Sequence, residues 1–223
     1  MEKITTPKDN QKKFQFTFVL FFIGQALLLL GFFSFGAQFK FLPSWLSLFA
    51  FFIFFGYIAL FISLIRVYKV NQNFMYAAIT MVITFVLSIM GDIASKSTED
   101  FYIYLSKGFN WSGSITLCIF YVYFFLGCYD YFASRNLSEA QKHSKTGFIV
   151  FPILFVAQSL LQAGPDFAFI KFNLIANRIC VYGSWIMYFV ISCFVVALLL
   201  NIVIYMHKLN KKEGEKNETP QAS

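Results

Sequence analysis

The chain has 223 residues, of which 58% are hydrophobic, 21% aromatic and 13% charged, with 32 Phe and a formal net charge of +7. Soluble domains carry about 25% charged residues, so this composition excludes a globular fold with an ordinary water-facing surface. The basic residues cluster at the ends of long uncharged runs, which excludes nucleic-acid binding as their purpose and points to orientation in a lipid bilayer.

The runs do not alternate apolar with polar, as the strands of a membrane β-barrel would. They predict an all-α, polytopic membrane protein with six transmembrane helices. A polar tail, residues 1–13, carries Lys3, Lys8, Lys12 and Lys13. The first apolar run, Phe14 to Phe39, is longer than the 7–15-residue core of a signal peptide and has no A-x-A-like cleavage site after it. It therefore reads as a retained span of about 14–36. Gln25 near its middle is expected to bond a neighbouring helix.

A turn at Lys40–Pro43 leads to the second span, about 43–65, with Trp45 at its start, where an indole suits the headgroup region. Gly56, Ala59 and Ser63 supply small residues for close helix approach. The third span, about 74–92, holds a polar residue at every fourth position: Thr80, Thr84, Ser88 and Asp92. Residues four apart lie about 40° apart around a helix, so these share one broad face. Hydrocarbon offers a hydroxyl no partner, so such a face turns toward other helices or a wet cavity.

Lys96 to Lys107 reads as a mixed loop whose Phe-Tyr-Ile-Tyr-Leu core lies in the interface. The fourth span, about 111–132, is followed by a polar loop, Arg135–Lys145, in which Asn136-Leu-Ser-Glu139 has the form of a helix start. The fifth span, about 147–163, contains Pro152, which places the start of the helix proper near Phe151. Gln158 and Gln162 sit one turn apart, and Gly164-Pro165 closes the helix. A loop from Asp166 to Arg178 precedes the sixth span, about 179–206, and residues 207–223 form a basic tail expected to be disordered.

Six spans put both termini on one side of the membrane. Thirteen of the eighteen Lys and Arg then fall on that side and five on the other, which predicts cytoplasmic termini. Richness in Phe, Lys and Asn suits an AT-rich genome and points to a bacterial plasma membrane. Under this topology Asp92, Gln158, Gln162, Asp166, Arg178 and Trp185 gather at the outer end of the bundle. With Thr84 and Ser88 they form the candidate ligand-binding set, in which Arg178 would bind a carboxylate or pair with Asp92 or Asp166. Each also has a plain structural reading, as a helix-packing hydroxyl or a residue at a wet helix end.

Enzymatic readings lack their parts. The two histidines, His143 and His207, form no H-E-x-x-H, and the four cysteines form no C-x-x-C. No Walker or G-x-S-x-G motif is present, and the sequence implies no cofactor or metal. The cysteines all lie in apolar runs, so no disulfide framework is implied. Two functions remain. One is a small solute-transport or solute-binding membrane subunit with an outward-facing polar pocket, dependent on ion coupling or an energising partner. The other is a non-catalytic accessory, assembly or immunity subunit of a larger membrane complex. Buried ionisable groups, which ion-coupled transporters contain, are scarce here.

Overall fold

The computed structural model describes residues 7–38, 44–97, 99–166 and 173–218. Among these it contains six α-helices: α1 (Pro7–Gln38), α2 (Ala50–Val67), α3 (Gln72–Ala94), α4 (Asp100–Ser134), α5 (Ser138–Ala163) and α6 (Leu174–Glu218). Short 3-10 segments precede α2 (Ser44–Phe49) and follow α5 (Gly164–Asp166). Five helical stretches are long and apolar enough to cross a membrane: Phe14–Phe33, Gln72–Ala94, Asp100–Ser134, Ser138–Ala163 and Leu174–Lys208. The apolar part of α2, Phe51–Val67, is shorter.

Several boundaries differ from the sequence expectation, each for a local reason. The α3–α4 connection is only Ser95–Glu99, because residues 101–107 are already the first turns of α4. Glu99 starts that helix, accepting from the backbone N–H groups of Tyr102 (3.0 Å) and Ile103 (3.2 Å). Asp100 adds a carboxylate to the positive first turn. The charges that resemble a loop in sequence are thus the helix's own start.

The α4–α5 connection shrinks to Arg135–Leu137. Asn136 adopts φ 55°, the Leu137 N–H reaches back to Phe132 O (3.0 Å) and the Asn136 N–H to Ala133 O (3.1 Å). This pair of bonds about a left-handed residue is a Schellman ending, with Asn in the place where glycine is commonest. Chain reversal there lets α5 begin at Ser138, with Pro152 inside the helix rather than in its first turn. At the far end Asn173 Oδ1 accepts from Ile175 N and Ala176 N, both at 3.1 Å, so Arg178 belongs to the second turn of α6 and not to a loop. Helical backbone continues past His207 to Glu218, through a stretch rich in Lys and Glu, both strong helix formers, where composition alone predicts disorder.

The chain divides into two compact units. The first comprises residues 1–67, 132–143 and 192–223; the second comprises residues 68–131 and 144–191. In the first, α1 and α2 form an antiparallel pair crossing at glycines. A Cβ placed on Gly24 would lie 2.8 Å from Leu60 Cδ2 and 3.0 Å from Gly56 O, and one on Gly56 would lie 2.9 Å from Gly24 O. The two backbones approach closely because neither carries a side chain there. Further along, Gly31 faces Ile53. Phe18 packs on Phe14 at 4.9 Å and on Phe132 at 5.7 Å between ring centroids, and Phe21, Leu60 and Leu64 are fully buried. Arg66 ends α2 with its guanidinium 4.9 Å over the Phe16 ring.

In the second unit α3 and α4 run antiparallel, and α5 folds back along α4. Phe74 sits against Gly127, where an added Cβ would come within 2.9 Å of the ring. Tyr121 packs tilted against Phe151 (4.4 Å), Tyr129 meets Phe148 (5.8 Å), and Phe125 fills the space above Gly147.

Away from these contacts the surface is apolar. Ile79, Val82, Phe85, Val86, Ile89 and Ile93 of α3 are exposed, as are Phe51, Phe54, Phe55, Ile58 and Phe61 of α2. Contiguous apolar exposure on this scale is incompatible with water on those faces and is the normal surface of helices in lipid. The protein is an integral membrane protein in its fold.

Candidate functional site

The polar residues of the third span can be followed one by one from their backbone. Asn71 caps α3: its Oδ1 accepts from Phe74 N at 3.0 Å while its Nδ2 donates to Gly127 O at 2.9 Å. One side chain therefore both starts α3 and ties it to α4. Two residues on, Asn73 Nδ2 donates to Asp130 Oδ2 at 2.6 Å, so Asp130 is engaged by an amide. Sequence reasoning passes over both asparagines. The only signal for them is the Asn just ahead of an apolar run.

One turn further, Thr80 Oγ1 lies within bonding distance of the carbonyls of Tyr76 (2.9 Å) and Ala77 (3.0 Å) of its own helix. Thr84, only 5% exposed, reaches Thr80 O at 2.8 Å and Thr116 Oγ1 of α4 at 2.9 Å. Thr116 in turn bonds back to Ser112 O (3.1 Å) and Gly113 O (3.0 Å). Near the end of α3, Gly91 O accepts from Ser106 Oγ at 2.9 Å, and a Cβ on Gly91 would lie 2.5 Å from Asn110 Oδ1. These contacts advance along α3 as they retreat along α4, the register of one antiparallel seam. Its hydroxyls and amides answer one another and the local backbone, as a lipid-embedded pair requires.

Of the eight residues singled out in the sequence, a direct bond joins Gln158 to Gln162. Thr84 belongs to the α3–α4 seam. Ser88 is exposed, its Oγ 3.8 Å from where a Gly113 Cβ would stand. Asp92 is exposed near the end of α3, and its backbone carbonyl accepts from Ser95 Oγ at 2.8 Å. Gln158, 7% exposed, donates through Nε2 to Gln162 Oε1 at 3.1 Å, so that pair closes on itself within α5, with Gln162 on the exposed side. Arg178 is exposed on α6 and Trp185 half-buried there. Asp166 ends the 3-10 turn after α5, and its side chain lies outside the described residues.

Among the described residues no group of three or more His, Cys, Asp or Glu is arranged to hold a metal ion. All four cysteines are free thiols, Cys128 buried and Cys118, Cys180 and Cys193 half-buried. What the arrangement does chemically is join helices: amide and hydroxyl donors meet carbonyls across a seam. No protein-family model matches this chain, and neither does any curated protein or solved structure.

Proposed function

We propose that this protein is a six-span membrane protein of the bacterial plasma membrane, with both termini cytoplasmic, that acts without catalysis of its own. Its role is that of an accessory, assembly or immunity subunit within a larger membrane complex. The observation that carries this reading is the fate of the Thr80–Ser88 stripe. Its one buried member, Thr84, is engaged by Thr80 and Thr116, and Ser88 is exposed. The polar face that would line a solute path instead holds α3 to α4.

A sixth span is supported by the 3-10 segment leading into α2. Six residues at about 2.0 Å and eighteen at about 1.5 Å give a helical rod of about 39 Å, longer than the ~30 Å hydrocarbon core. The basic bias described above supports the orientation, and reporter fusions at both termini test it: a cytoplasm-only reporter should be active at each end.

The solute-binding reading keeps one specific support, the buried Gln158 amide whose bond, among the described residues, is to Gln162 within its own helix. It would need an energising partner or a coupling ion. The deciding experiment is thermal stability of the purified protein against a metabolite library, with Asp92→Asn and Gln158→Ala as controls. A ligand that binds the folded state raises the melting temperature. A subunit that works by association should show no metabolite-specific rise in the wild type. A rise lost in Gln158→Ala would transfer the lead to solute binding.

A further inference from the structure

Two opposite charges stand out in the second unit because each lies on an apolar surface. Asp92 is exposed two residues before the end of α3, between Ile89 (43% exposed) and Ile93 (65%). Arg178 is exposed four residues after the start of α6, between Ile175 (71%) and Ile179 (61%). α3 ends, and α6 begins, at the same end of the antiparallel helix array, where Ser106 meets Gly91 and Leu161 contacts Gly183. At 1.5 Å per residue the two charges lie about 3 Å and about 6 Å from the terminal turns, at similar depth.

No ion pair joins them among the described residues. Asp92 and Arg178 differ here from Glu99, which sits in the polar α3–α4 connection with water at hand, and from Asp100, which opens α4 beside it. A charge at a span end, flanked by lipid-facing isoleucines, is favoured only when it finds a counter-charge or the headgroup zone. Ser88, one turn inward from Asp92, adds an exposed hydroxyl on the same face of α3.

We infer that a second copy of this chain covers these faces, with Asp92 of each protomer paired to Arg178 of the other. The charge complementarity is contained in a single sequence, and a two-fold axis uses it twice, because residue i meeting j obliges j to meet i. Phe85 and Ile89 of α3 would pack against Ile175, Ile179 and Ile186 of α6 beneath the two ion pairs. The association stands whether the protein serves as an accessory subunit or as a solute binder.

The test is single-molecule photobleaching of the full chain, labelled and reconstituted at low density in lipid vesicles. The wild type should bleach predominantly in two steps. Asp92→Arg and Arg178→Asp should each shift the population to one step, and the combined exchange should restore two. A wild type that bleaches in one step overturns the proposal. So do single exchanges that leave dimers intact, or a folded double exchange that stays monomeric. Should the single exchanges fail to fold, a second measurement decides. Copies bearing Asp92→Cys are mixed with differently tagged copies bearing Arg178→Cys, the four native cysteines being replaced by alanine. A short bismaleimide should link unlike copies in preference to like ones, and the absence of that preference refutes the pairing.

Discussion

The α1–α2 and α3–α4 pairs solve the same problem by opposite means. Both are antiparallel helix pairs that must hold together where lipid offers no hydrophobic incentive to associate. α1 and α2 remove side chains, with Gly24 and Gly56 placing each backbone against the other and Phe and Leu filling in around them. The polar Ser63 of that pair bonds within its own helix, at Leu60 O (2.6 Å). α3 and α4 instead exchange hydrogen bonds at intervals along their length, from Asn73–Asp130 through Thr84–Thr116 to Ser106–Gly91. Close packing fails abruptly when a single atom is added. A ladder of separate bonds loses one rung at a time.

The sharpest way to break that contrast is at the glycine crossing. Gly56→Leu should be the most damaging substitution, because even its Cβ would stand 2.9 Å from Gly24 O, a backbone atom that cannot swing aside. Overpacking of this kind costs about 1–3 kcal/mol or more, and the variant should lose its cooperative thermal transition in detergent. Gly127→Val in α4 comes next, since its side chain would enter the Phe74 ring, itself fully buried. A marked fall in melting temperature is expected, with partial rescue by Phe74→Leu.

Asn71→Ala removes a helix cap and a bond to Gly127 O together. A loss of about 0.5–2 kcal/mol for the cap alone is expected, read by denaturant titration. Thr84→Val keeps the shape and deletes one rung, for which about 0.6 kcal/mol is typical in lipid. The double variant Thr84→Val with Thr116→Val should be hardly worse than either single change. Full additivity would refute the direct bond. Gly108→Ala serves as the control, because nothing lies within 4 Å of its would-be Cβ. It should be neutral or stabilise by up to about 1 kcal/mol through helix propensity.

Legibility in the sequence followed the same divide. The polar stripe Thr80–Thr84–Ser88 was visible as a helical repeat, and so was its need for an inward partner. Thr116, which answers Thr84, was not, because it lies 32 residues away in a run with no matching period. Asn71 and Asn73 looked like polar punctuation between two spans, yet they join α3 to the far end of α4. The start of α4 was hidden because Glu99 and Asp100 have loop composition, while a helix's first turn favours those same residues; the helix start at Asn136-Leu-Ser-Glu139 was legible, but not its continuity with the apolar run after it. Pro152 misled for a related reason: proline lacks a donor but can be carried within a helix already under way.

Composition and hydropathy by themselves determined the solvent, the all-helical class and the approximate position of the apolar stretches, because only a helix satisfies its backbone within one segment in lipid. They also placed the glycines and the hydroxyl stripe. Which glycine meets which, which hydroxyl is spent and which charges are left outward were decided by tertiary structure alone. Each is a relation between residues far apart in the chain, and no local propensity carries it.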